Sequence, residues 1–366
     1  MRKILFYFHD VGGLNFCLPV IGKLSKAADL SLDIFCAGPS IQYSIKKGIL
    51  SRECKIRKIE DIENILDTSK PDLLVTGTNR SDKNEIGFWK VAKEKQIRSI
   101  CVIDYWMDPA FRFMKNGKYF FPDLIIVPDM SIAYEIKEKF GIDNSRVIIC
   151  GHPYLESVKD YIPSYNKSVF YEEIGLSCDL PTISYFSDTI SLGSDSHNKR
   201  MDKASFYGID EKIALSFLIE ALNDLNNAGQ KLQIMIKHHP VESPDNLTSI
   251  IKDIKQKSMI VIVDDYDSKD IIFHSDAVFS IFGMPLLEAH IMKKPAFSIC
   301  NSKIEHIVWA RIPFDISTVK NAGQIRKSIS SLPLSSINGN NCIDKINIYG
   351  STGKVIELLM GILNQA

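Results

Sequence analysis

Leu232-Gln233-Ile234-Met235-Ile236-Lys237-His238-His239-Pro240 is a largely apolar run that stops at an ammonium, two imidazoles and a proline. A short run of this kind reads as a buried strand. Side chains just beyond the carboxyl end of a strand are the ones that meet ligands in open α/β sheets. Downstream, Asp276-Ala277-Val278-Phe279-Ser280-Ile281-Phe282-Gly283 repeats the pattern and leads into the helical-looking Met284-Pro285-Leu286-Leu287-Glu288-Ala289-His290. Imidazoles and helix-start N–H groups suit phosphate oxygens, while an acidic side chain such as Glu288 suits ribose hydroxyls. The two segments outline an anion pocket with a carboxylate near its rim, of a kind that a nucleotide-sugar fits.

The same grammar extends in both directions. A strand at Pro181–Phe186 is followed by a long helix over Asp210–Asn227, the strand Leu232–Ile236, a helix Leu247–Lys255, a strand Met259–Val263 and a short helix Lys269–Phe273. The strand Ala277–Ile281, the helix Pro285–Met292 and the strand Ala296–Ile299 continue the series. The first half reads alike: strands at Ile4–Phe8, Leu32–Cys36, Leu73–Val75, Ser99–Ile103, Leu124–Val127 and Val147–Cys150 alternate with helices at Phe16–Ala28, Ile59–Leu66, Glu85–Glu94 and Ser131–Phe140. Strand–helix alternation predicts parallel sheets covered by helices on both faces. The fold class is therefore α/β, with two Rossmann-like domains facing across a cleft. The boundaries fall at 1–160 for the first domain, 161–180 for a polar linker and 181–351 for the second, with a C-terminal helix over 352–366 joined to the first.

A length of 366 residues exceeds one ordinary core and suits two domains of roughly 150 to 200 residues. Lys plus Arg and Asp plus Glu both count 44, so no global field attracts nucleic acid or an anionic membrane. Eight cysteines are scattered without a CxxC pair, which suits reduced thiols better than a disulfide framework or a zinc site. The apolar run that opens the chain is too short for a signal-peptide core, and no stretch has the length of a membrane span. The cytoplasm is the expected compartment. No metal-ligand spacing appears, and no cofactor is expected.

In the first half, Phe8-His9-Asp10-Val11-Gly12-Gly13-Leu14-Asn15 follows the first strand. Gly12 and Gly13 let the backbone bend and a ligand approach closely, and a helix start near Asn15 faces the same space. Asp10 would repel a pyrophosphate, so this turn is assigned to a hydroxylic acceptor, with Asp10 as a candidate general base. The alternative for Asp10 is a helix N-cap. Asp104, Tyr105 and Trp106 end a neighbouring strand and, with Arg112, offer a platform for a sugar ring or a carboxylated acceptor. The alternative for the aromatics is packing. In the second half, adjacent residues of extended chain point to opposite sides, so one of His238 and His239 faces the cleft, and His239 is the first choice for donor phosphate. Ser187, at the end of the strand before Asp188, together with Pro240, Ser280, Gly283 and Glu288, completes the donor set. The polar stretch Thr189–Lys203 reads as a loop of the kind that closes over ligand.

With these residues in place, the chain resembles the GT-B glycosyltransferase superfamily: two Rossmann-like halves, an Asp-containing glycine-rich first loop, a strand ending in His-Pro, and a Ser/Gly turn leading to a helix that carries Glu. The pattern of Lys237, His239 and Pro240 is similar to the His-Pro motif of bacterial capsule and lipopolysaccharide transferases with cytidylyl donors, among them the sialyl- and Kdo-transferases. The resemblance implies an acceptor domain followed by a donor domain and a metal-independent, inverting transfer. A sugar would pass from a nucleotide donor, a CMP-linked acidic sugar by preference, to a hydroxyl of a glycan, glycolipid or glycoprotein acceptor. Asp10 would be the base, and His239 would help the nucleotide depart. Peripheral association with the inner membrane is compatible with that role. The rival within the fold is a UDP-sugar 2-epimerase or a nucleotide-sugar hydrolase, and the rival outside enzymes is a catalytically silent sugar-nucleotide-binding partner.

Overall fold

The computed structural model describes residues 1–79, 82–107, 109–188, 190, 207–240, 242, 245, 247, 251, 260–309, 312, 314–332 and 348–365. The chain divides into two compact units, one of Met1–Ser157 with the C-terminal helix Ser351–Leu363, the other beginning at Val158.

The first unit holds strands β1 (Arg2–Phe8), β2 (Leu30–Cys36), β3 (Arg52–Glu53), β4 (Leu73–Thr76) and β5 (Arg98–Val102), a small antiparallel pair β6 (Met114–Lys115) and β7 (Lys118–Tyr119), then β8 (Leu124–Val127) and β9 (Val147–Ile149). Seven of them form a parallel sheet in the order β3-β2-β1-β4-β5-β8-β9. Ile4, Phe6 and Phe8 of β1 join a cluster with Leu14, Phe16 and Val20 of the helix Val11–Leu24 and with Val355, Leu359 and Ile362 of the C-terminal helix. On the opposite face Tyr7 packs on Phe88 of the helix Asn84–Glu94, with ring centroids 4.2 Å apart. A strand buried on both faces explains why β1 reads as an unbroken apolar run.

The start of the C-terminal helix is held by Glu156, whose carboxylate accepts from the Thr352 amide at 2.8 Å, the Thr352 hydroxyl at 2.6 Å and the Gly350 amide at 2.5 Å. A borrowed cap of this kind satisfies N–H groups that the helix cannot. Glu156→Ala is expected to lower the stability of the first unit by about 0.5–2 kcal/mol, the usual worth of an N-cap, read as a lower urea midpoint.

In the second unit β10 (Thr182–Phe186), β11 (Gln233–Lys237), β12 (Ile260–Ile262), β13 (Ala277–Ser280), β14 (Ala296–Ile299) and β15 (Ser317–Val319) form a parallel sheet in the order β12-β11-β10-β13-β14-β15. Both sheets reverse their strand order beside their first strand, at β1/β4 and at β10/β13. Such switch points are where open α/β sheets take ligand.

Several boundaries differ from expectation. The first long helix begins at Val11, not near Phe16, so Gly12 and Gly13 lie in its first turn instead of in a loop. The segment 161–180 is no bare linker: the helix Lys167–Glu173, capped by Asn166, buries Phe170 and Tyr171, and Phe170 stacks on His274 at 4.7 Å. Of the helix expected over Leu247–Lys255 only Leu247 and Ile251 are described, and of the loop 189–203 only Ile190. Among the described residues no helix is long and apolar enough to cross a membrane.

Candidate functional site

The switch point of the first unit gathers charge from three strand ends. Asp10 follows β1, Thr78 and Asn79 follow β4, and Asp104 follows β5. Arg112, buried at the end of the helix Pro109–Arg112, donates from Nη1 to Asp104 Oδ1 at 2.7 Å and to Thr78 Oγ1 at 2.9 Å, while its Nε has no hydrogen-bond partner among the described residues. His152, fully buried and stacked on Trp106, has its Nε2 2.8 Å from the Asp104 carbonyl, and burial pushes its pKa down to about 4. A neutral imidazole with Nε2–H pointing outward therefore pins the Asp104 backbone. The glycines are required by the same crowding. A Cβ on Gly12 would lie 1.9 Å from Asp104 Oδ2, and one on Gly13 would lie 2.8 Å from Gly77 Cα.

Asp10 is the N-terminal residue of the helix Val11–Leu24 but makes no side-chain capping bond. Its side chain reaches solvent, yet the protein around it removes enough water to raise its pKa. The neighbouring Asp104 adds to the rise, and Arg112 and the amides of Gly12 and Val11 oppose it. The helix beside it supplies an acid that no sequence signal marked. Glu85 is 2% exposed, neither of its carboxyl oxygens has a hydrogen-bond partner among the described residues, and burial, aided by the charges of Asp82 and Asp10, pushes its pKa up to about 8. The Tyr7 hydroxyl near it is likewise buried, and burial pushes its pKa up.

In the second unit the strand ends bring His238, Asp264, Ser187 and Asp188 to one edge of the sheet. His238 is buried; its amide donates to Asp264 Oδ1 at 2.7 Å and its Nδ1 lies 2.9 Å from Asp264 Oδ2. A carboxylate that holds Nδ1–H leaves Nε2 as the ring's free acceptor, and Nε2 has no partner among the described residues. His239 is only half buried and its backbone is tied to Glu242, whose amide donates to the His239 carbonyl at 2.8 Å. Desolvation lowers its pKa, with Glu242 pulling the other way. The oriented imidazole is thus that of His238, contrary to the preference for His239. Lys237 turns its ammonium into the backbone, donating to the carbonyls of Asp264 at 2.6 Å and Tyr266 at 2.7 Å. Pro240 is exposed beyond the strand.

Other sequence candidates are buried or engaged within the protein. Trp106 is fully buried with its indole N–H on Asp129, so it belongs to the core and not to an acceptor platform. Ser187 is buried, and its hydroxyl is oriented toward the Asp188 carbonyl at 3.4 Å. Ser280 donates to the Phe186 carbonyl and to Asp188, both at 2.8 Å, so its proton is already engaged inside the protein. Glu288 is 3% exposed, inside the unit and not at a rim. Gly283 starts the helix Met284–Ile291 without a side-chain cap.

No protein-family model matches this sequence, and no curated protein matches it in sequence. Solved structures do. The UDP-GlcNAc 2-epimerase from Methanocaldococcus jannaschii is similar over 98% of this chain and 100% of its own, at 14% identity and a TM-score of 0.66. The UDP-GlcNAc 2-epimerase from Neisseria meningitidis, bound to UDP-GlcNAc, gives the same coverage at 13% identity and a TM-score of 0.66. A glycosyltransferase from Rickettsia africae is similar over 100% of this chain and 96% of its own, at 16% identity and a TM-score of 0.58. At such identities the likeness is one of fold. The chain shares the two-domain, Rossmann-type GT-B-like fold of these structures.

Proposed function

We propose that the protein acts on a UDP-activated N-acetylhexosamine and inverts its configuration at C2, as the 2-epimerases of the same fold do. The observation that carries this reading is the pairing at the first switch point: Asp10, open to solvent with a raised pKa, stands beside Asp104, which is ion-paired to Arg112 at 2.7 Å. Inversion at C2 requires a C–H bond to be broken on one face and remade on the other, so a site needs groups that both accept and return a proton. Two carboxyls in unlike environments supply that. The C2 proton is not acidified by a carbonyl, so its removal is coupled to departure of the diphosphate.

The likeness to UDP-GlcNAc 2-epimerases favours a uridine donor over the CMP-linked sugar drawn from the His-Pro resemblance. A second reading, glycosyl transfer, uses the same Asp10 to take a proton from an acceptor hydroxyl. It is favoured by the solvent access of Asp10, which an acceptor would need. The two part in one experiment. Incubated with UDP-GlcNAc in D2O and no acceptor, the protein is expected to place deuterium at C2 and to form the manno epimer or its free sugar. Intact, undeuterated donor that is consumed only when an acceptor is added would sink the epimerase reading in favour of transfer.

For the phosphate contact, His238→Ala is expected to weaken UDP binding by about 1.5–3 kcal/mol, the worth of a charge-assisted bond, and His239→Ala by clearly less. Calorimetry giving the reverse order would return the role to His239.

A further inference from the structure

The anion-binding position at the second switch point is already filled by the protein itself. We propose that Asp188 is a built-in anion that occupies the amide nest between β13 and the helix Met284–Ile291, and thereby determines that a ligand's phosphate is not bound there. Three donors converge on the single oxygen Oδ2: the Ser280 hydroxyl at 2.8 Å, the Ile281 amide at 2.8 Å and the Phe282 amide at 3.3 Å. Its other oxygen, Oδ1, lies 3.3 Å from where a Cβ on Gly283 would stand. The carboxyl is 5% exposed.

A turn that offers successive N–H groups and a hydroxyl ahead of a helix start is the arrangement that holds phosphate oxygens in Rossmann units. Here a carboxylate oxygen takes the place of a phosphate oxygen, and it comes from the end of β10, the strand paired with β13. The arrangement has a cost. Burial raises the Asp188 pKa to about 6 despite the three donors, so desolvation outweighs what they return. A residue needed only to brace the loop could be an asparagine, which fills the same space without burying charge. The oxygen already seated on the nest's donors is what excludes another anion, and its charge adds repulsion. The ligand's own anion is then left to groups outside the nest, of which the buried His238 Nε2 has no partner among the described residues.

The test uses the full chain, inorganic phosphate and pyrophosphate as probes, and no turnover, so its outcome stands apart from the reaction proposed above. Asp188→Ala empties the nest. It should be less stable than the wild type, and added phosphate should then raise its Tm by roughly 2–4 °C or more, the response of a domain of this size to modest site occupancy. The rise should persist in Asp188→Ala/His238→Ala. In Asp188→Asn, whose amide oxygen still fills the nest, phosphate should have no such effect. A folded Asp188→Ala that responds to phosphate no more than the wild type does would overturn the proposal. Wild-type protein provides a check that needs no variant: in a phosphate titration followed by NMR, the amide signals of Ile281 and Phe282 should stay in place, and their movement would show that the nest admits an external anion.

Discussion

Asp10→Asn is expected to lower turnover by about 10² to 10⁴, the span of general-base catalysis, with UDP affinity and folding preserved. Asparagine has nearly the shape of aspartate but cannot take a proton. The exchange relieves the repulsion between Asp10 and Asp104. The pH profile carries the second part of the argument. A base works when deprotonated, and the pKa of Asp10 is raised, so wild-type activity should fall on the acid side at a pH above the ordinary carboxylate range. The residual activity of Asp10→Asn should lack that limb. Near-normal turnover in the variant would move the role to Asp104, whereas loss of folding would make Asp10 a structural residue of the helix start.

The fold was readable because parallel strands buried on both faces have to be apolar along their length. β1, β4, β5, β8, β10, β11 and β13 all announce themselves as short, mostly apolar runs closed by polar residues, and the helices between them alternate as parallel connections demand. The two-residue β3 has no such run. The start of the first helix was misplaced because Gly12-Gly13 carries a loop's composition. Its reason lies in a distant strand end: Asp104 stands where a Cβ at position 12 would be, and proximity across 92 positions of sequence leaves no local mark.

The site was readable in outline only. Strand-end logic selected Asp10, Asp104, Ser187, His238, His239 and Ser280, since topology alone sends these positions to the ligand-binding edge of a sheet. It could not tell which of them are used up internally. Ser280 is engaged by Asp188, and Trp106 by Asp129. The choice between His238 and His239 turns on Asp264, which comes from the end of β12 and holds Nδ1 of His238. The same strand-end rule, applied to the acids after β12, would have brought Asp264 forward. Glu85 had no comparable signal, because an acidic residue in the first turn of a helix ordinarily serves the helix dipole.

Glu85 should nevertheless dominate the pH dependence of stability. In the folded chain its pKa stands at about 8, against an ordinary 4.5. The folded state thus holds a proton that the unfolded state gives up. Below the unfolded value both states are protonated and the group is neutral in effect. As pH rises from there toward 8, the folded state is progressively disfavoured, and above that the full penalty remains. Glu85→Gln removes the titration while keeping the shape. The stability of this variant relative to the wild type should therefore grow between pH 5 and pH 8 by on the order of 3 kcal/mol, measured as the difference in urea unfolding free energy at the two pH values. A constant difference across that interval would mean that Glu85 finds a partner or water in solution and titrates normally. If the growth is seen, the chain carries a buried acid that weakens its fold at neutral pH. That is the signature of a group kept for its proton, placed where Asp10 would feel its charge.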